Sequence, residues 1–281
     1  MILAPRRRTG ARLVTLDRAL ERLPLFRLSD STSAEDVAIS YTTEAGGRWR
    51  VLPSPGDRLP GTFDQDVYVE LLHRYHEAGA PEDGVVTFTL HSFLRSIGRR
   101  ADGRTYEQLR GALGRLERTT LDSQDAYAGP DGRPLTRSFT ILSSVVIDRR
   151  RLVDREQLAL FPQLLGSDPG DARATLSPTV RANVDAGRTS ALTLATYHAL
   201  ASPVARRLYR LLAAVLDDTG DGAWRVPLDR LAGQLPLAQR YPSHLQRVLQ
   251  PAHDMLVAAG VVRTAAVRQD GREWLVEYER R

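Results

Sequence analysis

The chain has 281 residues, 42% of them hydrophobic, a formal net charge of +5 and a sequence pI of about 9.8, so it is long enough for two modest domains and suited to a polyanionic partner. It contains no cysteine, which excludes disulfides, thiolate metal sites and cysteine nucleophiles and fits a cytoplasmic location. No apolar run is long enough for a membrane span, and the basic start (Arg6, Arg7, Arg8, Arg12) lacks the apolar stretch of a secretory signal.

In chain order, residues 1–22 form a basic N-terminal arm, with a helix expected about Leu13–Leu23. Val37–Thr43 and Arg48–Leu52, joined through Gly46-Gly47, alternate apolar and polar residues as a β-hairpin does. After a Pro- and Gly-rich connection, Thr62 caps a helix with Asp64, Asp66 and Glu70 near its start and Val67, Tyr68, Leu71, Leu72 and Tyr75 on its apolar face. Val85–Thr120 follows as a short strand and two helices, with apolar positions Leu90, Phe93, Leu94 and Ile97 on the first and Leu109, Leu113 and Leu116 on the second. Arg99, Arg100 and Arg104 gather at the turn between them. That is a helix-turn-helix, and Leu121–Tyr127, the turn Gly129–Gly132 and the strand Ser138–Ile147 are expected to follow it as a wing.

Residues 153–171 are expected to be a linker with a short helix, carrying Leu158, Leu160, Phe161, Leu164 and Leu165. A helical region, Leu194–Leu216, comes next and breaks at Ser202-Pro203, where proline suits a helix's first turn. From there the pattern repeats. Val67, Tyr68, Leu71 and Tyr75 match Leu208, Tyr209, Leu212 and Leu216 in spacing, and Phe88, Leu90, Phe93 and Ile97 match Val226, Leu228, Leu231 and Leu235. Leu109 and Leu113 match Leu245 and Leu249, and Val261–Val267, a Gln269-Asp-Gly271 turn and Trp274–Tyr278 supply a second wing. The expected fold is α+β with two tandem winged-helix domains, spanning 23–152 and 172–281.

Opposite the buried stripe of the first recognition helix lie Arg104, Glu107, Gly111, Gly114 and Arg118, flanked by Gln108 and Arg115; the two glycines either let a phosphate reach the backbone or are simply tolerated in the helix. On the second helix Arg240, Ser243, His244, Arg247 and Gln250 point outward, and Pro251 is expected to kink it. Arg133 and Arg137 mark the first wing, Arg268 and Arg272 the second. All 39 basic residues are arginine, whose fork suits phosphate oxygens and guanine edges. Without lysine there is no GxxxxGK[ST] phosphate loop; His73 and His76 sit at i, i+3 without a third ligand. No enzymatic activity, metal or cofactor is expected, and double-stranded DNA is the expected partner.

Leu23-Pro-Leu-Phe26, Pro60-Gly-Thr-Phe-Asp-Gln-Asp-Val-Tyr68, Tyr106-Glu-Gln-Leu-Arg-Gly-Ala-Leu-Gly-Arg-Leu116, Ser202-Pro-Val-Ala-Arg-Arg-Leu-Tyr-Arg-Leu-Leu212 and Leu245-Gln-Arg-Val-Leu-Gln-Pro-Ala252 resemble plasmid replication initiators of the RepA type. The resemblance implies binding to iteron-like origin repeats, opening of adjacent AT-rich DNA and recruitment of the host replication initiator and helicase. It also implies a homodimer that represses its own promoter, in equilibrium with an initiating monomer, in the cytoplasm. The alternatives are a winged-helix transcriptional regulator, or a protein-docking module without direct DNA contact.

Overall fold

A computed structural model describes residues 12–28, 38–147, 171–219, 222–237, 239 and 241–281. The arginines of the arm before Arg12, the linker's expected helix and Arg240 lie outside the described residues.

The fold is α+β. Strand β1 (Leu13–Asp17) leads into the single-turn helix α1 (Arg18–Glu21). Strands β2 (Ile39–Thr42) and β3 (Arg48–Leu52) precede helix α2 (Thr62–Glu77), strand β4 (Val85–Thr89) and helices α3 (Leu90–Ser96) and α4 (Gly103–Arg118). Strands β5 (Thr120–Ala128), β6 (Pro134–Phe139), β7 (Leu142–Ile147) and β8 (Asp171–Leu176) follow, then α5 (Pro178–Asp185), β9 (Thr189–Thr193) and α6 (Leu194–Ala199). The rest is α7 (Pro203–Val215), β10 (Ala223–Pro227), α8 (Leu228–Gln234), α9 (Pro242–Ala258), β11 (Val262–Asp270) and β12 (Glu273–Arg280).

Where a helix is expected over 13–23, the first five residues form strand β1 and only Arg18–Glu21 is helical. Val14 and Leu16 are fully buried and β1 pairs antiparallel with β9, so tertiary pairing overrides a local helical pattern. Asp17 then stops the strand and caps α1, its Oδ1 accepting from the Ala19 and Leu20 N–H groups at 3.0 and 3.3 Å.

The expected strand over 138–147 divides between two sheets. β6 is the edge of a four-stranded sheet ordered β2-β3-β5-β6, whereas β7 joins a three-stranded sheet ordered β4-β8-β7. The latter has the same order of chain elements as β10-β12-β11 in the other half. By topology, then, the counterpart of the β11–β12 hairpin is β7–β8, whose connection lies outside the described residues, and β5–β6 belongs to a different layer.

Apolar side chains fall into two clusters, one built from Val14 to Tyr197 and one from Leu200 to Tyr278 with Leu28. Residues 172–197, expected with the second half, fill the first core instead. Ala172, Ala174 and Leu176 are buried at alternate positions of β8, which pairs with both β4 and β7.

Helix α7 joins the halves through arginines. Arg207 and Arg210 are fully buried. Arg207 donates to the carbonyls of Glu21, Leu23 and Gln234 at 2.8, 3.0 and 3.2 Å. Arg210 reaches the Glu21 carboxylate at 2.8 Å and Gln65 Oε1 at 3.2 Å, and lies 5.1 and 5.2 Å from the ring centres of Phe26 and Tyr68. Arg206 grips both oxygens of Asp66 at 2.8 and 2.7 Å. Burial pulls Arg207 down to about 10, still well above neutrality, so its guanidinium stays charged near neutral pH.

A second buried polar knot holds β1 in the first core. The Asp17 carboxylate accepts from Asn183 Nδ2 at 3.0 Å and from the Tyr127 hydroxyl. Burial pushes the Asp17 carboxyl up to about 7, against the hydrogen bonds that lower it. Its folded pKa thus lies above its unfolded value near 3.8, the folded state binds more protons between them, and stability falls as pH rises through 7. Thermal melts from pH 4.5 to 8 should show this fall, and Asp17→Asn should flatten it; an unchanged slope in Asp17→Asn would assign the pH dependence elsewhere.

Candidate nucleic-acid interface

Helix α4 begins at a reciprocal cap, Asp102 Oδ1 accepting from the Thr105 N–H and Thr105 Oγ1 from the Asp102 N–H, both at 3.0 Å. Leu109, Ala112, Leu113 and Leu116 bury its inner face. Arg104, Glu107 and Gln108 are exposed on the opposite side, with Arg100 exposed just before the helix. These positions match the expected face.

The C-terminal half of α4 does not. Arg115 is buried, its Nε and Nη2 donating to Asp64 Oδ1 at 3.1 and 2.8 Å, while Asp64 Oδ2 accepts from the Gly61 N–H at 2.6 Å and caps α2. Arg118 is half exposed but donates from Nε to Asp57 Oδ2 at 2.9 Å. Gly111 and Gly114 serve these arginines, not a phosphate. A Cβ on Gly111 would stand 3.2 Å from Arg115 Nη1, and one on Gly114 only 2.7 Å from Arg118 Nη1. Both guanidinium groups fold back along the helix over positions that lack a side chain. Gly114→Ala should therefore displace Arg118 and weaken its bridge to Asp57; loss of a nuclear magnetic resonance cross-peak between those side chains would check it.

Arg99 is also partly engaged, 5.7 Å from the Phe63 ring centre and 3.7 Å from Asp66 Oδ2. It lines a cavity of about 460 Å³ between the halves, with Asp66, His198 and Arg206. Arg133 and Arg137 are exposed, but on the β5–β6 hairpin, whose tip rests on Arg188 through the Pro130 carbonyl. They belong to the four-stranded sheet and so are not the tip of a wing built on β4.

Helix α9 presents a cleaner surface. Leu245, Leu249, Ala252 and Leu256 are buried, and His253 is buried with Nε2 2.8 Å from the Tyr278 hydroxyl. Burial lowers His253 to about 4, so it is a neutral core residue. Ser243, His244, Arg247 and Gln250 are exposed as expected, and Gln250 donates to Asp254 Oδ1 at 2.8 Å. Among the described residues Arg104 and Arg247 form no ion pair, unlike Arg115 and Arg118. The helix continues through Pro251, nine positions after its first residue, Pro242. Beside it, Arg268 is exposed 3.9 Å from Glu277 Oε2, and Arg272 is exposed at the β11–β12 turn. A recess of about 360 Å³ runs between the starts of α8 and α9 and this hairpin, floored by Leu228, Leu245 and Trp274.

Tyr241 is the residue that periodicity misses. It is the N-cap of α9 and 71% exposed. A proline at the first helical position marks the residue before it as the cap, and that signal was present in Tyr241-Pro242.

Among the described residues no group of three or more His, Cys, Asp or Glu is placed to hold a metal, and no helix is long and apolar enough to cross a membrane. No curated protein matches the chain in sequence. Of solved structures, domains 2 and 3 of RctB superpose with a TM-score of 0.55 at 10% identity, covering 90% of this chain and 94% of that one. A second structure of RctB domains 2–3 gives 0.51 at 9% identity, covering 94% and 96%. A Pi initiator protein in complex with iteron DNA gives 0.48 at 12% identity, covering 89% and 99%. At such identities the RctB likenesses speak for the fold alone. The sequence profile of the family described as Replication initiator protein A matches residues 16–240. With that match over most of its length, the chain belongs to the replication initiator protein A family and acts in the initiation of replication.

Proposed function

We propose that the chain carries two winged-helix units, one running from α2 to β8 and one from α7 to β12, and that both engage one DNA duplex at repeated origin sites. The supporting observation is the outer face of α9, where Ser243, His244 and Arg247 stand exposed beside the Arg268 and Arg272 hairpin. The first unit adds Arg100, Arg104 and Gln108 from the start of α4. Gln108 and Arg247 have the donors for base edges, and the remaining arginines suit phosphates. The protein is non-enzymatic and cytoplasmic in this reading. It hands the opened origin to the host initiator and helicase, and shifts between a self-repressing dimer and an initiating monomer. The dividing line between units falls near Leu200, where the apolar clusters separate.

Affinity for a duplex carrying the origin repeat, titrated against salt, tests this. The logarithm of affinity should fall linearly with log salt, with a slope of about −0.9 for each phosphate neutralised. Arg247→Ala should weaken binding by about 1–3 kcal/mol, with relaxed sequence preference if it reads a base or a slope shallower by about one if it holds a phosphate. Affinity insensitive to salt would overturn the reading.

A further inference from the structure

We infer that Tyr241 is a specificity-determining residue that packs its ring against the 5-methyl group of a thymine in the major groove. The inference rests on the reading of α9 as a DNA-entering helix.

Tyr241 is the most exposed of the large hydrophobic side chains among the described residues, at 71%. Its position is nevertheless fixed. Its backbone is extended (φ −88°, ψ 137°), and its carbonyl accepts from the His244 and Leu245 N–H groups, both at 3.0 Å, closing the first turn of α9. Pro242 follows, and the residue before a proline is sterically held out of the helical region. The ring is steadied in turn by His244, whose ring meets it edge-on at 5.8 Å and 80°. An aromatic ring exposed at a helix start and braced by a neighbouring ring is poised to cover something.

Charge and isolation decide what. Ser243, His244 and Arg247 share the exposed surface with Tyr241, and the first acidic residue along the helix is Asp254, more than three turns on. A protein-docking patch would be a contiguous apolar area. Here a single ring stands among polar and cationic groups at the end of the helix whose partial charge is positive, which complements a polyanion. Within a major groove the apolar feature offered by base edges is the thymine methyl.

The test uses the full chain and a duplex that the wild-type protein selects from a random pool, with each thymine then replaced singly by uracil, which lacks only that methyl. Replacement at one position should weaken wild-type binding about fourfold, the value of one buried methyl-sized group. Tyr241→Ala should lose affinity for the thymine duplex and be indifferent to uracil at that position, while Tyr241→Phe keeps the discrimination. Tyr241→Ala that still senses uracil as wild type does, or a scan flat at every position, overturns the inference. Arg247→Ala separates the two layers: if it weakens binding while the scan is flat, Tyr241 alone is misassigned. If Arg247→Ala and Tyr241→Ala both bind the selected duplex as tightly as wild type does, the reading of α9 itself fails.

Discussion

Arg210→Ala is expected to lower stability by about 3–5 kcal/mol, seen as a large drop in the urea midpoint, because it strands the Glu21 carboxylate in a buried site. Glu21 lies at 0% exposure between Arg207 and Arg210, so removing one guanidinium leaves an ion without its closest partner and without water. Glu21→Ala should cost a similar amount for the reciprocal reason, and the double substitution should cost less than the sum of the two. Additive losses would mean that the pair is not coupled. Since Glu21 comes from the first half and Arg210 from the second, hydrogen exchange should quicken in both α1 and α7 of either variant.

Arg115→Ala is expected to behave as a core lesion, not as the loss of a DNA contact. It leaves Asp64 with the Gly61 N–H but without its guanidinium, in a site where that carboxylate is 1% exposed, and should cost about 3 kcal/mol of stability. Arg104→Ala, about three turns earlier on the same helix, should leave stability within about 0.5 kcal/mol of wild type and weaken duplex binding. Urea denaturation and duplex titration of the two variants should therefore give opposite patterns. Equal losses of affinity with unchanged stability would return Arg115 to the interface.

That contrast marks what a sequence discloses. Periodic side chains were legible: Leu109, Leu113 and Leu116 on α4, and Leu245 and Leu249 on α9, are all buried as their spacing requires. The outward placement of Arg104, Gln108, Ser243, His244, Arg247 and Gln250 follows from the same arithmetic. Whether an outward arginine is free is a different matter. Arg115 is claimed by Asp64 and Arg118 by Asp57, partners more than fifty residues earlier, and helical spacing carries no record of them. Gly111 and Gly114 were ambiguous for the same reason, since the groups they admit come from the helix's own next turn. The expected strand Ser138–Ile147 divides into β6 and β7 because alternation shows which residues form a strand but not which sheet receives it. The arginines of Ser202–Leu212 were legible as a motif and not as a joint, because what buries Arg207 and Arg210 is α1, nearly two hundred residues away.

The central claim is that the start of α4 and the outer face of α9 approach the same duplex. The chain has no cysteine of its own, so Gln108→Cys and Gln250→Cys each carry one unambiguous attachment point for an iron chelate that cleaves nearby DNA. On one radiolabelled duplex bearing the origin repeat, the two conjugates should cut at two distinct clusters of positions within the same protected region, both abolished by high salt. Cleavage from position 250 with none from position 108, or cuts scattered without preference from both, would contradict it.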